Sequence, residues 1–88
     1  MPILDTSNVC LYDEFIKLKE EQNELFEALI NWPRTQEEKE HVIEEFYDNI
    51  QAALNCLDKT GMLDMLEEGR KKHIKKMLDR GWKIKRMI

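Results

Sequence analysis

A four-residue break, "NWPR" at residues 31–34, separates two long segments whose apolar residues recur at helical spacing. Pro33 cannot continue a helix, and its ring also pushes the preceding Trp32 out of the α region. Two long helices joined by so short a connection pack side by side in opposite directions. The break therefore predicts an antiparallel helical hairpin.

The first helix is predicted over about residues 8–30 and the second over about 25 residues from Thr35 onward. Thr35 and Glu38 form a capping box at the start of the second helix, and "KTG" at residues 59–61 ends it. The apolar stripe of the first helix consists of Phe15, Leu18, Leu25 and Leu29, widened by Phe26 and Ile30. The stripe of the second consists of Val42, Ile43, Phe46, Ile50, Ala53, Leu54 and Leu57.

A third helix is predicted over about residues 62–79. Gly69 interrupts its pattern and predicts a kink or helix boundary nearby, because glycine is a poor helix former. Beyond it, Trp82, Ile84 and Ile88 alternate as they do in a short edge or docking segment.

The composition agrees with long helices, since the chain has only three Gly and two Pro. The predicted fold is all-α, an antiparallel helical hairpin plus a third helix. Its 88 residues make one domain, 1–88, with a hairpin core over about 8–60 and a basic C-terminal part over about 62–88. So short a chain buries a thin core, and we therefore expect a homodimer or homotetramer that forms an oligomeric helix bundle.

The charge is divided along the chain. Residues 1–60 carry 14 acidic and 5 basic side chains, a net charge of −9, whereas residues 61–88 carry 4 acidic and 9 basic, a net charge of +5. Such asymmetry predicts either a nucleic-acid tail or a cationic segment that folds back on an acidic site or its anionic ligand. The acidic majority argues against nucleic acid.

The N-terminus, "MPILDTSNVC", has no basic region followed by an apolar one, and no apolar run suits a membrane span. We therefore expect a cytoplasmic protein with no membrane partner. Cys10 and Cys56 have no CxxC spacing and are expected to be free thiols.

Two pairs of carboxylates occupy the predicted hairpin. Glu21 and Glu24 are three residues apart in the first helix, and Glu45 and Asp48 repeat this spacing in the second, so each pair lies within one helical turn. Like charges at that spacing repel, and both pairs border the apolar stripe. The hairpin brings them together, and an all-oxygen site suits Mg²⁺ or Mn²⁺ rather than zinc.

These residues resemble a known family. "EEQNE" at residues 20–24 and "EEFYD" at residues 44–48 resemble the EExxE and ExxD motifs of the MazG-like all-α nucleoside triphosphate pyrophosphohydrolases, over about residues 10–60. The resemblance implies an oligomeric, Mg²⁺-dependent hydrolase that cleaves a nucleotide between its α- and β-phosphates. It also implies four metal ligands: Glu21, Glu24, Glu45 and Asp48.

In this interpretation a metal-activated water attacks the phosphate, no side chain is a covalent nucleophile, and Glu20 or Glu21 is the general base. Glu14 and Glu27 are expected on the surface. Five further residues are candidate substrate contacts, although a salt bridge, a core or interface position or a solvated surface explains each at least as simply: Lys17, Trp32, Asn55, Lys76 and Arg80.

Other functions remain open. Within the same fold, a phosphoribosyl-ATP pyrophosphohydrolase or an enzyme specific for dUTP or dCTP is an alternative, although "NIQAA" after Asp48 differs from the first of these. The alternative outside the enzymes is an acidic helical module for oligomerisation or protein interaction. If the protein is such a module, its properties should not depend on a metal. A nucleic-acid-binding protein using residues 70–86 is the weakest alternative.

Overall fold

A computed structural model describes all 88 residues, which form three α-helices and no strand. The helices are α1 (Leu11–Ile30), α2 (Gln36–Lys59) and α3 (Leu66–Asp79), with a 3₁₀ turn at Leu63–Met65 before α3. The all-α prediction is confirmed. Helix α1 begins at Leu11, later than predicted, because Cys10 is extended and supplies no side-chain cap.

The connection between α1 and α2 has the predicted capping box. The Glu38 N–H donates to Thr35 Oγ1 at 3.1 Å, and the Thr35 N–H donates to Glu38 Oε1 at 3.4 Å. Trp32 has a φ of 57°, a left-handed conformation in which its N–H donates to the Leu29 carbonyl at 3.0 Å. This turn reverses the chain, so Cys56 near the end of α2 donates through Sγ to the carbonyl of Glu14 near the start of α1, at 3.4 Å.

The Thr35→Ala variant is expected to lose about 1 kcal/mol of unfolding free energy, because the N-terminal amides of α2 lose their side-chain acceptor. Urea unfolding at fixed protein concentration measures the loss. Thr6→Ala is the matched control, since the Thr6 side chain makes no hydrogen bond. An equal loss in both variants would contradict a stabilising capping box.

The seam between α1 and α2 follows a heptad pattern and contains polar residues. The residues of α1 that are not exposed recur at alternating spacings of four and three residues, namely Glu14, Leu18, Glu21, Leu25 and Ala28. Their counterparts in α2 are Val42, Glu45, Asn49, Ala52 and Cys56. Ala52 and Cys56 are the only buried hydrophobic residues. The surface position expected for Glu14 is wrong, because this residue is only 4% exposed.

The hairpin has an apolar face and a polar face. In an antiparallel pair, the residues that come directly after the seam residues of either helix lie on one side of the hairpin. The residues that come directly before the seam residues lie on the opposite side. The first set forms the apolar face and includes Phe15, Phe26, Leu29, Ile43 and Phe46, all exposed. The second set forms the polar face and includes Lys17, Glu20, Glu24, His41, Asp48 and Asn55.

The predicted apolar stripe of α1 is therefore wider than the seam. Leu18 and Leu25 are half-buried against α2, whereas Phe15, Phe26 and Ile30 are exposed. One neighbouring helix covers only part of an apolar arc this broad. The uncovered part is the apolar face.

Helix α3 extends away from the hairpin. Its backbone lies close to the 3₁₀ turn and to neither α1 nor α2. The radius of gyration is accordingly 15.6 Å, above the roughly 12 Å of a compact domain of this length. The break expected near Gly69 lies instead at the junction of Met65 and Leu66, and α3 continues through Gly69.

The residues after α3 form no helix or strand and are exposed, including Trp82, Ile84 and Ile88. No helix combines the length and apolar content that crossing a membrane requires. Both cysteines are free, as predicted.

Candidate metal centre

Three of the four predicted ligands meet at the middle of the hairpin. Glu21 and Glu24 of α1 and Glu45 of α2 each place a carboxylate oxygen within 4.8 Å of the other two. Glu21 and Glu45 are seam residues, and Glu24 lies beside them on the polar face. The heptad spacing thus turns one carboxylate from each helix directly toward the other helix.

Burial leaves part of this cluster without hydrogen-bond donors. Glu21 is 4% and Glu45 is 9% exposed. Lys17 Nζ lies 2.7 Å from Glu21 Oε1, and His41 Nε2 lies 3.7 Å from Glu45 Oε1. The other oxygens, Glu21 Oε2 and Glu45 Oε2, are buried with no partner. A buried anionic oxygen without a donor is costly, so the site favours a cation.

Asn49 is a further seam residue with an unpartnered side-chain oxygen. It lies one turn after Glu45 in the seam, and its Oδ1 is also buried with no partner. Three carboxylates and an amide oxygen make an all-oxygen donor set, which fits Mg²⁺ or Mn²⁺. Sequence reasoning missed Asn49, although its position one turn from Glu45 in the heptad pattern was a usable signal.

Asp48, the fourth predicted ligand, is exposed on the polar face and is not one of the three clustered carboxylates. It is three residues from Glu45 and so lies on the neighbouring turn of the same helix. Its role as a ligand stays a prediction.

The electrostatics of the cluster act on Glu24. Its carboxyl pKa is raised, first because the protonated form hydrogen-bonds to Glu45 and second because the charge of Glu21 opposes its ionisation. The pKa of Lys17 is also raised, because this ammonium group donates a hydrogen bond to Glu21. The cluster therefore attracts positive charge, whether a proton, an ammonium group or a metal ion.

The raised pKa of Glu24 predicts a pH dependence. Between the two pKa values the folded protein holds a proton that the unfolded chain has released, so the contribution of Glu24 to stability is fully present below the ordinary glutamate pKa of about 4.3 and is lost as pH rises through the higher folded value. Urea unfolding at several pH values in the presence of a chelator measures this slope. Glu24→Gln should flatten it, whereas Glu27→Gln should leave it in place. A slope that survives in Glu24→Gln would contradict the assignment.

A groove of about 620 Å³ borders the cluster. It lies on the polar face toward the turn between α1 and α2, and Asn31 and Pro33 of the turn line one end. Five glutamates line it, namely Glu24, Glu27, Glu37, Glu38 and Glu45. His41 is the only basic side chain among the lining residues. The groove therefore repels a bare phosphate.

The remaining predicted site residues are dispersed. Lys17 is engaged with Glu21, and Glu20 is exposed on the polar face. Trp32 is 73% exposed beside the turn residues that line the groove. Asn55 is half-buried and accepts a hydrogen bond from Gln51 at 3.1 Å.

Lys76 and Arg80 are both exposed. They lie in and just after α3, and neither belongs to the carboxylate cluster or to the residues that line the groove of their own chain.

Comparison with protein-family models, curated proteins and solved structures finds no match for this chain. Any inference about function therefore rests on the two acidic motifs and on the geometry of the hairpin.

Proposed function

We propose that this protein is a MazG-like, Mg²⁺-dependent nucleoside triphosphate pyrophosphohydrolase. The observation that supports the proposal is the pair of buried, unpartnered oxygens on Glu21 and Glu45, with the Glu24 carboxylate beside them. A helical hairpin under stability pressure alone would fill these seam positions with apolar residues. The two acidic motifs therefore occupy positions where they cost stability, as residues selected for binding often do.

In the proposed site, Glu21, Glu24, Glu45 and Asp48 would hold Mg²⁺, and the buried, unpartnered oxygen of Asn49 would be available as a further ligand. The ion, when bound, supplies charge neutralisation for the phosphates and activation of a water. Glu20 or Glu21 would accept the proton of that water. Water adds across the bond between the α- and β-phosphates, and the products are a nucleoside monophosphate and pyrophosphate.

The exposed residues near the groove have proposed roles on the substrate. Trp32 offers an indole face on which a base can stack at the turn end of the groove. Lys17 and Asn55 lie on the polar face on the far side of the cluster from the turn, where they can contact phosphate or ribose. Lys76 and Arg80 would contribute positive charge to the phosphates.

We propose a homodimer or homotetramer as the assembled form. Only two hydrophobic residues are buried in the chain, and the apolar face exposes Phe15, Phe26 and Phe46. An apolar surface of this kind is typical of a protein interface. It equally favours the second candidate function, a non-enzymatic oligomerisation or interaction module, in which the carboxylates bind no metal.

Pyrophosphate release separates the two functions. Each canonical and modified nucleoside triphosphate is incubated with Mg²⁺ and either the wild type or Glu45→Gln. We expect at least one nucleotide to be hydrolysed, and Glu45→Gln to reduce the rate by about 100-fold or more, because it removes a buried ligand. Glu44→Gln, an exposed neighbour, is the matched control and should change little. No hydrolysis of any nucleotide, or an undiminished rate in Glu45→Gln, would contradict the enzymatic proposal.

A further inference from the structure

The C-terminal arm, residues 66–88, carries positive charge that nothing in its own chain neutralises. Three cations pair within α3: Arg70 with Glu67 at 2.6 Å, Lys71 with Glu68 at 4.0 Å and Lys75 with Asp79 at 2.8 Å. The other six make no ion pair, namely Lys72, Lys76, Arg80, Lys83, Lys85 and Arg86. Helix α3, which forms the first part of the arm, makes no backbone contact with either helix of the hairpin.

The groove on the polar face carries the complementary charge. Its five glutamates form no ion pair with a lysine or arginine, and the only basic side chain paired with one of them is the imidazole of His41, 3.7 Å from Glu45. Glu45 is nine-tenths buried, and its Oε2 has no partner. The groove and its adjoining cluster therefore present more negative charge than their own chain balances.

The two unpaired lysines of α3, Lys72 and Lys76, cannot reach the groove of their own chain. His41 in the groove lies 18 positions before Lys59, the last residue of α2. This corresponds to about 27 Å along the helix at ~1.5 Å per residue. Lys76 lies only ten residues into α3, about 15 Å from its start. Even if α3 folded back along α2, Lys72 and Lys76 would stop short of the groove.

We propose that the arm docks in the acidic groove of a second copy of this chain. In a two-fold symmetric dimer, the arm of each chain would dock in the groove of the other chain. Such reciprocal docking fills both grooves and forms a closed, self-complementary arrangement. The six unpaired cations would then face the five groove glutamates.

Docked there, the arm would complete the site in trans. A nucleoside triphosphate is strongly anionic, and the groove that borders the cluster is itself acidic. Lys76 and Arg80 of one chain would lie beside the phosphates held at the cluster of the other, where cations stabilise phosphoryl transfer. This role in the reaction rests on the proposed function, whereas the docking of the arm does not.

Zero-length carbodiimide cross-linking tests the docking directly, because it joins a lysine to a carboxylate only where they touch. Equal amounts of ¹⁴N- and ¹⁵N-labelled full-length protein are mixed, exchanged, cross-linked at about 0.15 M salt, where only close charges still attract strongly, and analysed by mass spectrometry. We expect peptides from residues 70–86 joined to groove peptides carrying the opposite label. Links only between equal labels, or no links between arm and groove, would overturn the proposal.

Subunit complementation tests the role of the arm in catalysis. One parent is Glu45→Gln, with an intact arm and a defective site. The other is the triple variant Lys72→Gln, Lys76→Gln and Arg80→Gln, with an intact site and a neutralised arm. In a dimer, the exchanged mixture should recover about a quarter of wild-type activity, because half of the dimers are mixed and each has one complete site.

The matched control is the triple variant Arg70→Gln, Lys71→Gln and Lys75→Gln, which removes the same charge from cations already paired within α3. It should retain wild-type activity by itself. An active wild type whose mixed parents show no gain over the parents alone would overturn completion in trans. An inactive wild type would contradict the proposed function, and the cross-links would then still decide the docking.

Discussion

Adding Mg²⁺ is expected to raise the midpoint of thermal unfolding by about 10–20 °C. A ligand that binds only the folded state at 100 times its Kd stabilises by about 2.7 kcal/mol, and 1 kcal/mol corresponds to about 4–8 °C in a domain of 60–100 residues. The physical reason is local, since the ion would satisfy the buried oxygens of Glu21 and Glu45 and relieve repulsion among three carboxylates.

The measurement is a thermal scan at fixed protein concentration with Mg²⁺, with chelator, and with chelator followed by excess Mg²⁺. Glu45→Gln should lose most of the shift, and Glu44→Gln, exposed and one residue away, should keep it. Ca²⁺ serves as a second comparison, because it prefers more ligands at longer distances. An identical midpoint with and without every divalent ion would contradict a metal site.

The second large effect is also a gain in stability, and it comes from removing one of the carboxylates. Glu21→Leu is expected to stabilise the metal-free protein by about 1–3 kcal/mol, because replacing a buried charge by an apolar residue of similar size is often favourable. Glu21 is 4% exposed in a seam where Leu18 and Leu25 are its neighbours in the heptad pattern. Its loss frees only Lys17, whose side chain is 58% exposed and can return to water.

The same variant should no longer respond to Mg²⁺, so the gain in stability and the loss of binding appear together. Urea unfolding in chelator gives the first quantity, and the thermal shift on adding Mg²⁺ gives the second. Glu20→Leu is the control, because Glu20 is exposed and a leucine there buries nothing in the seam. A Glu21→Leu protein that is less stable than the wild type in chelator would show that this carboxylate supports the fold.

The sequence predicted the hairpin and the start of α2 because both depend on local chemistry. Pro33 and the pair Thr35 and Glu38 act within a few residues of one another, and their effects need no tertiary contact. The meeting of Glu21, Glu24 and Glu45 was also predictable, because it follows from helical spacing once the two helices are antiparallel.

The burial of Glu14 and Asn49 in the seam was not predicted, because a search for apolar periodicity finds only the hydrophobic residues of a core. Glu14 was expected on the surface and Asn49 was not singled out, and only the packing of α1 on α2 shows that Glu14 is buried and that the Oδ1 of Asn49 is enclosed. The position of α3 relative to the hairpin could not be predicted from the sequence either. An amphipathic stripe predicts that a helix has a face to bury, and it does not specify the surface, or the chain, that covers that face.

The buried polar layer also has a consequence for the alignment of the two helices. A heptad seam made only of apolar residues can slide by one repeat at little cost, and a polar residue at such a position fixes the register. Sliding α2 by seven residues would carry Glu45 and Asn49 away from Glu21 and leave each carboxylate facing an apolar neighbour. A cation shared between Glu21 and Glu45 would bind only in the register that brings these two residues together. Metal binding would therefore be coupled to this alignment of the two helices and would stabilise it.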